Sequence, residues 1–270
     1  MIPLEDNFTD ILGKAQRGLR LTDTQLATQT GLPVELIAKV KDGFVDETVL
    51  SKLAPALNLN ARALIAAANK SWQPKPITCA GLAQFNTPFF DMTVNAYVVW
   101  HAAMREAALF DTGANARPAL DFLAKEKLTL KYLFITHTHT DHIADLEKVQ
   151  AETKAECFVG DREPKLVGVK TFAAGNTFSL GQIVIETRLT WGHAEGGITY
   201  VVRGLERPVA IVGDAVFAGS MGGGAVSYTD ALRTNRAEIM SLPPETILCP
   251  GHGPLTTVGE ELEHNPFFAA

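Results

Sequence analysis

Between residues 8 and 69 the apolar side chains recur three and four positions apart. The groups are Ile11, Leu12 and Ala15; Leu26 and Ala27; Leu36, Ile37 and Val40; Leu50, Leu53 and Leu57; Leu64, Ile65 and Ala68. That spacing puts each group on one face of a helix. Breaks at 18–22, 31–33, 42–46 and 58–60 divide the stretch into five short helices. Thr22 suits an N-cap and Pro33 the first turn of a helix. The stretch NKSWQPKP, 69–76, then reads as a linker, because two prolines oppose continued helix.

Beyond the linker the pattern changes. TVNAYVVW (93–100), AALFDTG (107–113), KYLFITH (131–137), ECFVG (156–160), GQIVIETRL (181–189), GITYVV (197–202) and VAIVGD (209–214) are short β-rich runs. They alternate with helical patterns over 115–126 and 141–153, which predicts an α/β domain of sheets covered by helices. The expected division is a small all-α domain over 1–71 and a larger α/β domain over 72–270.

Composition narrows the function classes. At 46% apolar and 20% charged residues the chain can build a sizeable core. No run of 18 apolar residues occurs, and the first ten residues are acidic where a signal peptide is basic. Cys79, Cys157 and Cys249 form no CxxC pair, which suggests a reducing compartment and a cytoplasmic protein without membrane contact. Cys249 reads as a buried packing residue, and His101 and His264 as surface or outer-layer residues. The net charge of −6 leaves no nucleic-acid footprint over the whole molecule. Residues 1–70 hold 8 basic and 8 acidic side chains, so the excess acid lies in the remainder.

The chemistry concentrates in FITHTHTDHIADL, Phe134 to Leu146. Residues i and i+2 of a strand project to one side, so a strand running out here aims His137 and His139 at one point. A turn at Thr140 then sets Asp141 and His142 at a helix start, where Asp141 meets the helix dipole. Imidazole with carboxylate favours zinc or a similar divalent ion, and four such groups exceed what one catalytic metal needs. His193 in TWGHAEGG, Asp214 in AIVGDAVF and His252 in CPGHGP each follow an apolar run, at sites where a sheet delivers side chains to a common rim.

THTHTDH resembles the HxHxDH signature of the metallo-β-lactamase superfamily, and His193, Asp214 and His252 follow in that family's order. The resemblance runs over about residues 77–267, and its closing PGHGPLTTVGEELEHNPFF is similar to the glyoxalase II-like branch. It implies an αββα sandwich with a dinuclear site on one edge. His137, His139 and His193 would hold one metal, and Asp141, His142 and His252 the other. Asp214 would bridge them, with Asp141 and His193 also catalytic. Asp111 would be an acid that orients a ligand. Two divalent cations, zinc or else iron or manganese, would activate a bridging hydroxide against an acyl carbon, so no serine nucleophile is needed.

The branch cleaves S-acyl glutathione thioesters. This chain departs from it, with WGHAEGG for PGHTPG and AGSMGGGAVSYTDALRTN where an arginine-bearing segment is expected. Trp191 and Glu195 therefore stand beside the expected metal, and a thioester, a related ester or a lactone remains open. An iron-dependent sulfur oxygenase keeps the same fold.

Residues 21–43 also resemble Cro/cI-type helix-turn-helix domains, through Leu21, Gln25, Leu26, Ala27, Gly31, Ile37, Val40 and Gly43. The resemblance places Val34, Glu35, Ala38 and Lys39 outward on a recognition helix. One outcome is a DNA-binding regulator whose larger domain is a sensor. The other is a helical region kept for packing, dimerisation or as a lid. Oligomeric state stays open.

Overall fold

The computed structural model describes residues 2–269. Five helices open the chain as expected: α1 (Phe8–Gly18), α2 (Asp23–Thr30), α3 (Val34–Lys41), α4 (Glu47–Ala56) and α5 (Ala61–Ala68). Local chemistry starts each of them. Asn7 and Thr22 close capping boxes with Asp10 and Gln25, and Asp46 and Asn60 accept from the third residue beyond them. Pro33, with φ −61°, sits one residue before α3 and leaves no orphan N–H there.

Two sheets follow. The first has the spatial order β1 (Leu82–Phe89), β2 (Met92–His101), β3 (Glu106–Phe110), β4 (Thr129–Ile135), β5 (Glu156–Gly160), β6 (Val169–Phe172), antiparallel as far as β3 and parallel beyond. Helix α6 (Arg117–Lys125) precedes β4, and α7 (Thr140–Ile143) and α8 (Leu146–Glu152) precede β5. The second sheet contains β7 (Thr177–Leu180), β8 (Ile183–Leu189), β9 (Ile198–Arg203), β10 (Val209–Gly213), β11 (Ile247–Pro250) and β12 (Thr256–Thr257), with α9 (Tyr228–Glu238) ahead of β11 and α10 (Val258–His264) last.

Alternation along the strands sorts the side chains into layers. Tyr97, Phe110, Phe134, Tyr200, Ile211 and Cys249 fill the space between the sheets. Val98, Leu109, Leu133 and Ile135 point the other way, onto Leu120, Leu123 and Val149. Val201, Ala210, Val212 and Leu248 face the opposite side and meet Ile239, Phe267 and Phe268. This is the αββα sandwich.

That last layer continues without a break into the five helices. Ile11, Leu12, Leu50, Leu53 and Leu64 belong to the same buried cluster as Phe267, Phe268 and the outer face of β10. Arg62 reaches the Glu263 carbonyl and the Asn60 amide the Pro266 carbonyl, so α5 is also tied to the chain end by hydrogen bonds.

One expected element needs correction. The pattern over 141–153 is two helices rather than one. In a continuous helix the His142 carbonyl would accept from the amide four residues on. Here it accepts from Thr112 instead, from the backbone N at 2.8 Å and Oγ1 at 3.0 Å, and the helix breaks before Asp145.

The shared core predicts that the larger region does not stand alone. A chain lacking residues 1–71 exposes Ile239, Phe267, Phe268 and the outer face of β10, and should lose its cooperative thermal transition. A soluble, cooperatively melting fragment in calorimetry would contradict this.

Candidate metal centre

Strand ends deliver the polar residues to one edge of the sandwich. His137 and His139 follow β4, Asp141 and His142 lie in α7, Asp214 comes directly after β10, and His252 two residues after β11. His193 sits in the turn after β8. The seven form two groups, His137, His139, His193 and Asp214, and Asp141, His142 and His252, with potential ligand atoms in each group within 4.8 Å of one another. Asp214 spans both. Its Oδ2 lies 3.3 Å from His193 Nε2 and 3.4 Å from His252 Nε2, while Oδ1 lies 3.3 Å from His142 Nε2.

Four of the five imidazoles are oriented from behind. His142 Nδ1 donates to Asp111 Oδ2 at 2.8 Å, His193 Nδ1 to the Gly223 carbonyl at 2.9 Å, and His252 Nδ1 to the Thr93 carbonyl at 2.7 Å. His137 Nδ1 lies 3.0 Å from Thr136 Oγ1, which itself donates to Asp111 Oδ2 at 2.8 Å. Those partners fix the tautomers, so the Nε2 lone pairs of all four rings face the centre. His139 turns its Nδ1 inward, 2.9 Å from His137 Nε2 and 3.0 Å from His193 Nε2. Two such close nitrogen pairs on one ring are stable only with a cation or proton between them.

Asp111 earns its place at a backbone cost, for it holds φ at +56°. It also accepts the Thr136 amide at 2.7 Å, which ties β3 to the end of β4.

Electrostatics agree with a cation. Burial and then the neighbouring imidazoles hold His137 well below the usual histidine range, and they lower His139 as well. Burial also works against protonated His142 and His252, but carboxylates outweigh it. Asp214 and Asp111 push His142 to about 10, and Asp214 with Asp141 pushes His252 to about 11. Asp214 is held well below the carboxylate range despite full burial, through His142 and His252. Even so, His142 Nε2 and Asp214 Oδ1 are buried with no hydrogen-bond partner. Buried polar atoms left without a partner, among other imidazole nitrogens and carboxylate oxygens, fit a divalent metal.

Two glycines leave the necessary room. A Cβ on Gly251 would collide with Asp214 Oδ1 and stand 2.7 Å from His142 Cε1, and one on Gly222 would collide with the Asp214 carbonyl.

Several contributors had no clear signal in the chain. Glu163 is buried, accepts from Thr138 N at 2.9 Å and Gly196 N at 2.7 Å, and so joins the turns carrying His139 and His193. Asn95 donates to the carbonyls of Pro250 and Gly253, holding the His252 turn. The mouth of the centre, a cavity of about 450 Å3, is lined by Phe89, Met92, Thr138 and Thr140 with His139, Asp141, His193, Asp214 and His252. Trp191 and Glu195 do not line it; Trp191 is half-buried with its carbonyl bound to Thr234, and Glu195 is exposed. Cys249 is fully buried, and His264 stacks on Trp72 at 4.9 Å. On α3, Val34, Glu35 and Lys39 are exposed and Ala38 half-buried.

The sequence model of the metallo-beta-lactamase superfamily matches residues 90–252, and the chain belongs to that superfamily. The match begins beyond the five helices. A probable metallo-hydrolase of Bacillus subtilis, YqgX, is 25% identical over 205 residues, 67% of this chain and 94% of its own. Hydroxyacylglutathione hydrolase GloC of Haemophilus influenzae is 24% identical over 197 residues, 64% of this chain and 92% of its own. The crystal structure of the BLEG-1 B3 metallo-beta-lactamase superposes with a TM-score of 0.58 at 27% identity, covering 70% of this chain and all of that one (100%).

Two measurements check this geometry. A histidine whose pKa is raised on folding stabilises the fold fully below its unfolded value of about 6.5. For His142 and His252 that stabilisation is lost as pH rises through about 10 and about 11. The Tm in chelator should therefore fall as pH rises from 6.5 toward those values. Metal competes with the same protons, so the Tm gained on adding zinc should widen with pH. A gain independent of pH contradicts the assignment. Asp111→Asn should weaken one of two metal-binding events in calorimetric titration by about 10–100-fold; equal weakening of both would count against it.

Proposed function

We propose that the chain is a metal-dependent hydrolase of a thioester or related ester, working with two divalent cations, zinc in the first instance. The observation that carries this reading is Asp214, whose carboxylate reaches both groups of ligands at 3.3–3.4 Å. His137, His139 and His193 would hold one cation and Asp141, His142 and His252 the other, with Asp214 shared. When bound, such a pair acidifies a water and polarises the scissile carbonyl.

The chain's own residues supply the rest. Asp141 and Asp214 remain ionised, since His252 and His142 lower both despite burial. Asp111, Thr93, Gly223 and Thr136 keep the rings from rotating, which removes a reorganisation cost during reaction. Phe89 and Met92 flank the mouth at the β1–β2 hairpin and give an acyl group an apolar wall against bulk water. The similarity to GloC supports an acyl thioester. The three free, buried cysteines suit a reducing compartment such as the cytoplasm.

The helical region is read as part of the enzyme's structure, supported by its shared core with the second sheet. Its boundary near residue 71 marks the linker rather than the edge of a separate core.

Metal analysis with a panel of thioesters, lactones and phosphoesters tests the reading: two metals per chain and thioester turnover are expected. Asp141→Ala should bind one metal equivalent and lose most of its activity. Full activity with one metal would overturn the paired-cation chemistry.

A further inference from the structure

Of the five imidazoles, His139 is the one that nothing holds from behind. Its Nδ1 faces His137 and His193, and among the described residues its ring makes no other hydrogen bond. It is also the one exposed member of the seven candidate ligands. The position of that ring is therefore set by the backbone of the 136–139 turn.

The turn at 160–163, which supplies no ligand, fixes that backbone. Glu163, only 6% exposed, accepts with Oε2 from Thr138 N at 2.9 Å and from Thr138 Oγ1 at 2.6 Å. Its Oε1 accepts at 2.7 Å from the amide of Gly196, three residues beyond His193. One carboxylate thus spans the turns of His139 and His193, whose facing nitrogens stand 3.0 Å apart. Hydrogen bonds to a carboxylate are of the short and strong kind.

Close packing supports the join. A Cβ on Gly196 would stand 2.7 Å from Glu163 N and 2.8 Å from Arg162 Cβ, and one on Gly160 would stand 2.9 Å from the Gly196 carbonyl oxygen. Glu163 N donates to the Gly160 carbonyl at 3.1 Å and Asp161 N to the Phe172 carbonyl at 2.8 Å, so the turn that carries the carboxylate is itself fixed. Ile198 N reaches the Thr136 carbonyl at 2.9 Å and ties the bases of the two ligand turns. Glu163 ties their tips.

The other group is held independently. Asp111 grips His142, the Thr93 carbonyl grips His252, and Asn95 holds the turn that bears His252. None of these contacts passes through Glu163.

We propose that Glu163 is a positioning residue for one cation of the pair. It sets how tightly His137, His139 and His193 hold theirs, and leaves the cation of Asp141, His142 and His252 nearly unaffected. This rests on the paired-cation reading of the same centre. The physical cause is preorganisation: with both turn tips fixed beforehand, binding does not bear the cost of ordering an exposed ring.

Calorimetric titration of zinc into the metal-free full chain tests it. In Glu163→Gln one of the two binding events should weaken about 10–100-fold while the other holds. Asp141→Ala removes the second event, and adding Glu163→Gln to that variant should weaken the remaining one by the same factor. Thr138→Val keeps the carboxylate and loses only the hydroxyl donor. It should weaken the same event about 3–10-fold, and it carries the test if Glu163→Gln does not fold. A merely structural Glu163 would lower the Tm in chelator and weaken both events alike. That result overturns the proposal, and so does an unchanged event in the Asp141→Ala background. A single event in the wild type refutes the paired cations; the comparison is then made on that event, where an equal Kd in Glu163→Gln overturns the role of Glu163. A wild type that binds no zinc overturns both.

Discussion

Five imidazoles and two carboxylates converge on one buried edge with their lone pairs turned toward each other. That arrangement is unfavourable by itself, because buried acceptors without donors bear a full desolvation penalty. The orphaned His142 Nε2 and Asp214 Oδ1 show where the penalty falls. Much of the surrounding structure is explicable as what is needed to hold these side chains there. Asp111 accepts a left-handed backbone to grip His142 and Thr136, Glu163 joins two turns, and Gly222 and Gly251 give up side chains so that backbone can approach Asp214.

The same constraint explains why the helical region matters to the centre. The loop after Asp214 has glycines at 219, 222, 223 and 224, and its Val216 and Met221 lie in the core shared with the helices. Its position depends on Glu261 and Asn265 on one side, and on Asp6 and Lys14 on the other. Lys14 belongs to α1, and α1 is seated in the core it shares with Phe267 and Phe268. A helical element that looks detachable along the chain is continuous with the wall of the candidate metal centre.

How much of this was legible follows from the physics of each part. The convergence of the seven candidate residues could be read because strand alternation and strand ends leave a local pattern. The five helices could be read because their apolar faces and caps are local as well. The grips on His193 and His252 could not, since they are the carbonyls of Gly223 and Thr93, which carry no side-chain signature. Glu163 is one acid among thirty acidic residues until folding sets it against Thr138 and Gly196. The break within 141–153 leaves no local pattern, because it lies in a tertiary contact from Thr112. Strands β6 and β7, four residues each and half exposed, are too short for alternation to show, and the polar α9 has little apolar stripe.

Everything above turns on whether Asp214 serves two cations at once. Diffraction from metal-soaked crystals, recorded on both sides of the metal absorption edge, tests it most directly. The account predicts two anomalous peaks about 3.5–4 Å apart, each within coordinating distance of one Asp214 oxygen. A single peak beside His137, His139 and His193, with Asp141, His142 and His252 bonded only to one another, would contradict it.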